Sequence, residues 1–167
     1  MLFRSLALAD LGGLKGRGER HKVAVPGGVD GQQGWALLID ESYNANPASM
    51  AATLASLGDE ELTGRRIAVL GPMRELGPDA AAMHIALAAP VRAAKVERLV
   101  LVGAEMAVLA DALTNGPGDE IESVIADNVE QAARLVQAIL GPGDVVLVKA
   151  SNSVGLAALV QRVAGAD

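Results

Sequence analysis

Short apolar runs alternate along this chain with stretches whose apolar residues recur at helical spacing, and that alternation narrows the fold to one class. Continuous runs occupy Trp35–Ile39, Ile67–Leu70, Leu99–Val102 and Val145–Val148, each flanked by turn residues or charge. Runs of this kind suit strands buried on both faces, as in a parallel sheet. Ile121–Ile125 contains Glu122 and Ser123 and reads as a more exposed strand. Lys22–Val25 reads as an edge strand stopped by Pro26. Between the runs, four sets make apolar stripes of helical period: Met50, Leu54, Leu57; Met106, Leu109, Ala110, Leu113; Val129, Ala132, Ala133, Val136; and Leu156, Leu159, Val160, Val163. A further helix is predicted from Asp79 toward Ala89, kinked or ended by Pro90. Strands alternating with helices imply crossover units, hence a three-layer α/β/α domain on a mostly parallel sheet of five to six strands.

The 167 residues suffice for one core without metal or disulfide. Aromatics are only 2%, so Ala, Val and Leu fill that core, and few stacking platforms remain for single-stranded nucleic acid. The net charge of −6 removes a global footprint for nucleic acid, although a local pocket can still hold a small anion. The absence of cysteine excludes disulfides and thiol chemistry and is compatible with the cytoplasm, the expected location. No apolar run reaches the length of a membrane span, and Met-Leu-Phe-Arg at the start lacks the long apolar region of a signal peptide. Residues 1–34 read as a lead-in: the end of a helix over Leu2–Asp10, then a Gly-rich hinge from Gly12 to Gly34 holding the possible edge strand. Residues 35–167 read as the α/β domain proper.

In a parallel sheet the loops after the strands share one edge, and ligands bind there. Three such loops have unusual content. In Asp40-Glu41-Ser42-Tyr43-Asn44-Ala45-Asn46-Pro47, Asn46 and Pro47 start a helix as N-cap and first residue. Capping alone does not explain the polar run before it. Asp40 could accept bonds from ribose hydroxyls, Tyr43 could lie against a base, and Asn44 and Asn46 offer amides beside a positive helix end. In Gly71-Pro72-Met73-Arg74-Glu75-Leu76-Gly77-Pro78, two glycines and two prolines fix an unusual path, which taken alone is more ordinary as a structural loop. In Lys149-Ala150-Ser151-Asn152-Ser153, a lysine directly after four apolar residues either snorkels from the sheet edge or faces an anion with Ser151. Its position at the ligand edge favours the anion.

Absences matter as well. There is no phosphate-binding Gly-Lys-Ser/Thr loop and no G-x-G-x-x-G between a strand and a helix. His21 and His84 are the only histidines, so a His-rich metal cluster cannot be built, and no metal ligand is assigned. His84 by itself reads as a packed or surface residue rather than a catalyst. The three loops look like parts of a site whose phosphate-handling machinery lies elsewhere.

Taken together, Asp-Glu-Ser-Tyr-Asn-Ala-Asn-Pro-Ala-Ser-Met, Ala-Val-Leu-Gly-Pro-Met-Arg-Glu-Leu-Gly, His84 and Val-Leu-Val-Lys-Ala-Ser-Asn-Ser resemble the C-terminal domain of a Mur ligase. The Tyr-Asn-Ala-Asn-Pro segment is the most specific element, and Gly-Leu-Lys-Gly-Arg-Gly-Glu-Arg is similar to the family's junction between central and C-terminal domains. The resemblance implies a Rossmann-like third domain of an ATP-dependent amide-forming ligase of peptidoglycan precursor synthesis. That ligase adds D-alanyl-D-alanine to a UDP-N-acetylmuramoyl-tripeptide through an acyl phosphate. It further implies partner N-terminal and central domains, the central one holding ATP and Mg2+, so that this chain is inactive alone and no catalytic group falls on it. Carried onto matching positions, the resemblance gives Arg17, Asp40, Tyr43, Asn44 and Asn46 to the nucleotide, and Met73, Leu76, Lys149 and Ser151 to the acceptor side, with Lys149 near the dipeptide carboxylate. Two departures stand out: Pro72 where the family usually has Asp, and Ala150-Ser151-Asn152 where it has Gly-Ser-Arg. The rival readings are a stand-alone nucleotide- or ligand-sensing module and an interaction domain with a decayed site. The Gly12–Gly34 lead-in discriminates in part, since a self-contained module has little use for a hinge at its N-terminus.

Overall fold

The structure, a computed structural model, describes residues 14–165. The helix expected over Leu2–Asp10 lies outside the described residues. Six strands form one sheet: β1 (Glu19–Val25), β2 (Gly34–Glu41), β3 (Arg66–Leu70), β4 (Arg98–Val102), β5 (Glu122–Ala126) and β6 (Val145–Lys149). Their order is β1-β2-β6-β3-β4-β5, with β1 antiparallel to β2 and every other pair parallel. The helices are α1 (Pro47–Asp59), α2 (Ala80–Ile85), α3 (Ala88–Ala93), α4 (Ala107–Asn115), α5 (Val129–Ile139) and α6 (Leu156–Ala164).

Strand alternation sends successive side chains to opposite faces, and each face has its own core. Val69, Val100, Val146 and Val148 meet Ala132, Val136, Leu156, Leu159 and Val163 of α5 and α6. Ala68, Leu99, Leu101 and Leu147 meet Met50, Leu54, Leu57, Val91 and Leu109 of α1, α3 and α4. The predicted stripes are thus the buried faces of the helices, and the sheet is the expected middle layer of three.

Three details differ from the reading of the sequence. Trp35, placed in a doubly buried run, is 44% exposed and lies under the Lys22 ammonium, 4.1 Å from its ring centroid. It sits near the start of β2 and pairs with Ala24 of the edge strand. The single helix expected from Asp79 toward Ala89 is two, and the break falls at Ala86–Leu87, before the proline. Pro90 lies in the first turn of α3, where its missing N–H is no loss; an uninterrupted helix would set its ring against the Ala86 carbonyl. The edge strand spans Glu19–Val25, longer than Lys22–Val25, and pairs with β2 along all seven residues.

Candidate functional site

β6 lies between β2 and β3 and runs parallel to both, so the C-terminal ends of the three strands lie together: Glu41 pairs with Lys149, and Lys149 with Leu70. This is also where the chain direction reverses across the sheet, since β3 leads outward to β4 and β5 while β6 and β2 lie on its other side. Crevices in open α/β sheets form at such points. The three loops singled out in the sequence therefore meet at one edge.

The loop after β2 is shaped by its own side chains. Asp40 Oδ1 accepts from the Ser42 N–H at 2.9 Å, and Asn44 Oδ1 from the Ala45 N–H at 2.9 Å. Asn46 caps α1, its Oδ1 accepting from the Ser49 N–H at 2.8 Å while Ser49 Oγ accepts from the Asn46 N–H at 3.1 Å. This reciprocal pair satisfies two donors at a helix start that Pro47 preorganises. Tyr43, Asn44 and Asn46 are exposed, but Asp40 is 2% exposed. The lead-in closes over this loop. Gly16 accepts from the Tyr43 N–H at 3.0 Å, and the Gly18 N–H donates to the Asp40 carbonyl at 2.8 Å. A Cβ on Gly16, whose φ is +73°, would stand 3.1 Å from Tyr43, so both the turn and the approach require glycine. The approach brings the Arg17 guanidinium 4.0 Å from the centre of the Tyr43 ring, a cation–π contact.

Lys149 projects toward the same loop. Its side chain is 4% exposed, and Nζ donates to the Asn44 carbonyl at 2.8 Å, with a Glu41 oxygen 3.9 Å away. It neither snorkels nor presents a free charge: its partners are a carbonyl and a carboxylate of the loop after β2. Burial pushes the lysine's pKa down, opposed by Glu41. Burial likewise pushes the Glu41 carboxyl up, opposed by Lys149 and reinforced by Asp40.

The loops after β3 and β6 are tied together. The Gly71 N–H donates to the Lys149 carbonyl at 3.0 Å, the Ser151 N–H to the Pro72 carbonyl at 3.2 Å, and the Arg74 N–H to Ser151 Oγ at 2.8 Å. A Cβ on Gly71 would stand 2.8 Å from that of Ala150. Met73 is buried in the core, and Leu76 is partly buried against it. The Met73 N–H donates to His84 Nε2 at 2.9 Å, and His84 Nδ1 lies 2.7 Å from the Ala80 carbonyl. The two bonds together fix a neutral ring with its proton on Nδ1. His84 is thus a packed residue that holds the loop. Beyond it, Arg74 pairs with Glu105 at 2.5 Å. Glu105's own N–H and then Arg74 hold that carboxyl below the usual range. A polar cleft of about 360 Å³ opens there between Pro72, Arg74, Glu105 and Asn128. A larger one, about 860 Å³ around Arg92, Lys95 and Glu122, lies at the far edge where β4 and β5 begin. Its arginines are already engaged, Arg92 with the Asp119 and Leu113 carbonyls and Arg98 with Glu122.

Arg17, Tyr43, Asn44 and Asn46 therefore stand together and exposed. Asp40, Met73, Lys149 and Ser151 are buried close by, and Leu76 is partly buried against the core. Glu41, Ser42 and Glu105 were not singled out in the sequence. Glu41 and Ser42 lay inside the polar run already noted, whereas Glu105 gives no signal before β4 and β3 are seen side by side.

The Mur ligase, glutamate ligase domain model matches residues 28–152. The chain belongs to the Mur ligase family. The chain is 39% identical to the UDP-N-acetylmuramoyl-tripeptide–D-alanyl-D-alanine ligase of Mycobacterium tuberculosis, over 89% of this chain and 32% of that one. Among solved structures it is similar to the MurF ligase of Thermotoga maritima in complex with ADP, with a TM-score of 0.68 and 24% identity over 95% of this chain and 32% of that one. MurF of Acinetobacter baumannii gives a TM-score of 0.70 and 21% identity over 92% and 31%. At these identities the structures show the shared fold. The chain spans about a third of the length of all three proteins. No helix among the described residues is long and apolar enough to cross a membrane.

Proposed function

We propose that this chain is the C-terminal domain of a UDP-N-acetylmuramoyl-tripeptide–D-alanyl-D-alanine ligase and contributes the wall of the site that orients reactants. The observation that carries this reading is the convergence of the loops after β2, β3 and β6 at one sheet edge. The N-terminal and central domains supply the rest of the cleft. ATP with Mg2+, held mainly by the central domain, supplies the activation of the tripeptide carboxylate. Activated carboxyls are lost to water, so the chemistry needs a closed, dry site. Holding the incoming amine in place can be worth roughly 7–11 kcal/mol.

The residues fit a nucleotide in part. Arg17 offers a cation, Tyr43 an exposed ring and Asn44 and Asn46 exposed amides, all beside the α1 N-terminus. Asp40 acts on this surface through the Ser42 N–H it holds, because its carboxylate is buried. On the acceptor side Lys149 and Ser151 work through the loops they tie, one at Asn44 and the other at Arg74, while Met73 anchors the loop that carries Leu76. The domain needs no nucleophile or general base of its own for this role. The test is ATP-dependent addition of D-alanyl-D-alanine by the full-length enzyme, compared with the same enzyme lacking this domain. Turnover only with the domain present supports the reading; equal turnover without it rejects the reading.

A further inference from the structure

The sheet face that carries Val23 and Leu38 ends in three side chains of metal-ligand type. β1 and β2 pair with Glu19 opposite Asp40, and His21 lies two residues from Glu19, on the same face. One ligand atom from each of Glu19, His21 and Asp40 lies within 4.8 Å of the other two. His21 Nε2 is 3.7 Å from Glu19 Oε2, too far for a hydrogen bond. That nitrogen is the one buried side-chain nitrogen or oxygen without a hydrogen-bond partner among the described residues. Such an atom calls for an explanation, since burying a polar group without a partner is unfavourable. In a tetrahedral site with bonds of about 2.0–2.2 Å, ligand atoms stand about 3.3–3.6 Å apart. The His21–Glu19 separation is already close to that spacing.

We propose that Glu19, His21 and Asp40 form a site for a divalent transition-metal ion, with water completing its coordination. An imidazole with two carboxylates suits zinc and its neighbours, whereas Mg2+ and Ca2+ prefer all-oxygen sets. An ion here gives His21 Nε2 its missing partner and offsets two adjacent carboxylates. It also clips β1 to β2 where the glycine-rich lead-in enters the sheet. The inference is independent of the ligase reading and shares only Asp40 with it.

The test uses the chain after chelator treatment, titrated with zinc chloride by calorimetry and by NMR of the imidazole nitrogens. With two histidines in the chain the spectrum is simple. One zinc per chain is expected, with the His21 resonances shifting and those of His84 unmoved, because both His84 nitrogens are already bonded. His21→Gln, on a partly exposed edge-strand residue, should keep the fold and weaken zinc binding at least tenfold. Magnesium at the same concentration should leave His21 unmoved. Zinc that leaves the His21 resonances in place, or binds the folded His21→Gln variant as tightly as wild type, overturns the site. The wild-type spectrum decides the matter even if the variant does not fold.

Discussion

Lys149 Nζ donates to the carbonyl of Asn44 at 2.8 Å, joining the last strand of the sheet to the first polar loop, 105 residues away in sequence. The bond explains how a lysine can end a strand of four buried aliphatic residues. Its charge is stabilised by a carbonyl and by Glu41, and the loop that holds Tyr43 and Asn46 is fixed to β6 in return.

Lys149→Met should therefore loosen that loop. The substitution keeps the stem and removes the donor, leaving the Asn44 carbonyl short of a partner and Glu41 without its cation. A loss of about 1–3 kcal/mol is expected in denaturant unfolding. In the full-length ligase, dipeptide use should weaken while the fold persists. Unchanged dipeptide kinetics would remove Lys149 from the site.

The same lysine gives a pH signature. Burial lowers its folded pKa below 10.5, so between the lowered value and 10.5 the unfolded chain binds more protons. Stability from this group must then rise with pH through that window, and the burial cost stands in full below it. The neutral amine keeps its bond to Asn44. Unfolding midpoints at about pH 8 and about pH 10 should shift in favour of wild type relative to Lys149→Met as pH rises. A difference that is flat or reversed would contradict the buried placement.

Asn46 separates structure from binding. Asn46→Ala removes the capping box and should cost about 0.5–2 kcal/mol. Asn46→Asp keeps an N-cap acceptor and adds a charge favoured at a helix start. If the Asn46 amide faces the nucleotide, the Asp variant should match wild type in melting temperature yet raise the KM for ATP in the full-length enzyme. An unchanged KM would confine Asn46 to capping.

His84→Ala should leave the Met73 N–H without an acceptor inside the core and cost about 1–3 kcal/mol. Hydrogen exchange should then speed up at Met73 and Arg74 before it does in β3. A uniform change across the domain would mean that His84 does not specifically hold this loop.

Much of this was legible in the sequence because it rests on local chemistry. Apolar runs gave the strands, stripes gave the helices, and Asn46-Pro47 gave the start of α1. Trp35 was misplaced because run hydropathy does not say which strand sits beside an edge. Pro90 was read as the breaking point, whereas the chain breaks a turn earlier to put the ring where no N–H is needed. The pairings of Lys149 with Asn44, Ser151 with the Arg74 N–H and Arg74 with Glu105 depend on strand order, which no local pattern specifies. The Glu19–His21–Asp40 cluster was missed for the same reason. Counting histidines excluded a His-rich site, but the register of β1 against β2 sets two carboxylates beside a single one.

Reconstitution tests the central claim most directly. The remaining domains of the ligase, produced without this chain, would be assayed for ATP-dependent joining of D-alanyl-D-alanine to UDP-N-acetylmuramoyl-tripeptide, with and without this chain added. The account predicts product only in the mixture and weak or undetectable ATP binding by this chain alone. Submicromolar ATP binding by the isolated chain, with no product from the mixture, would contradict it.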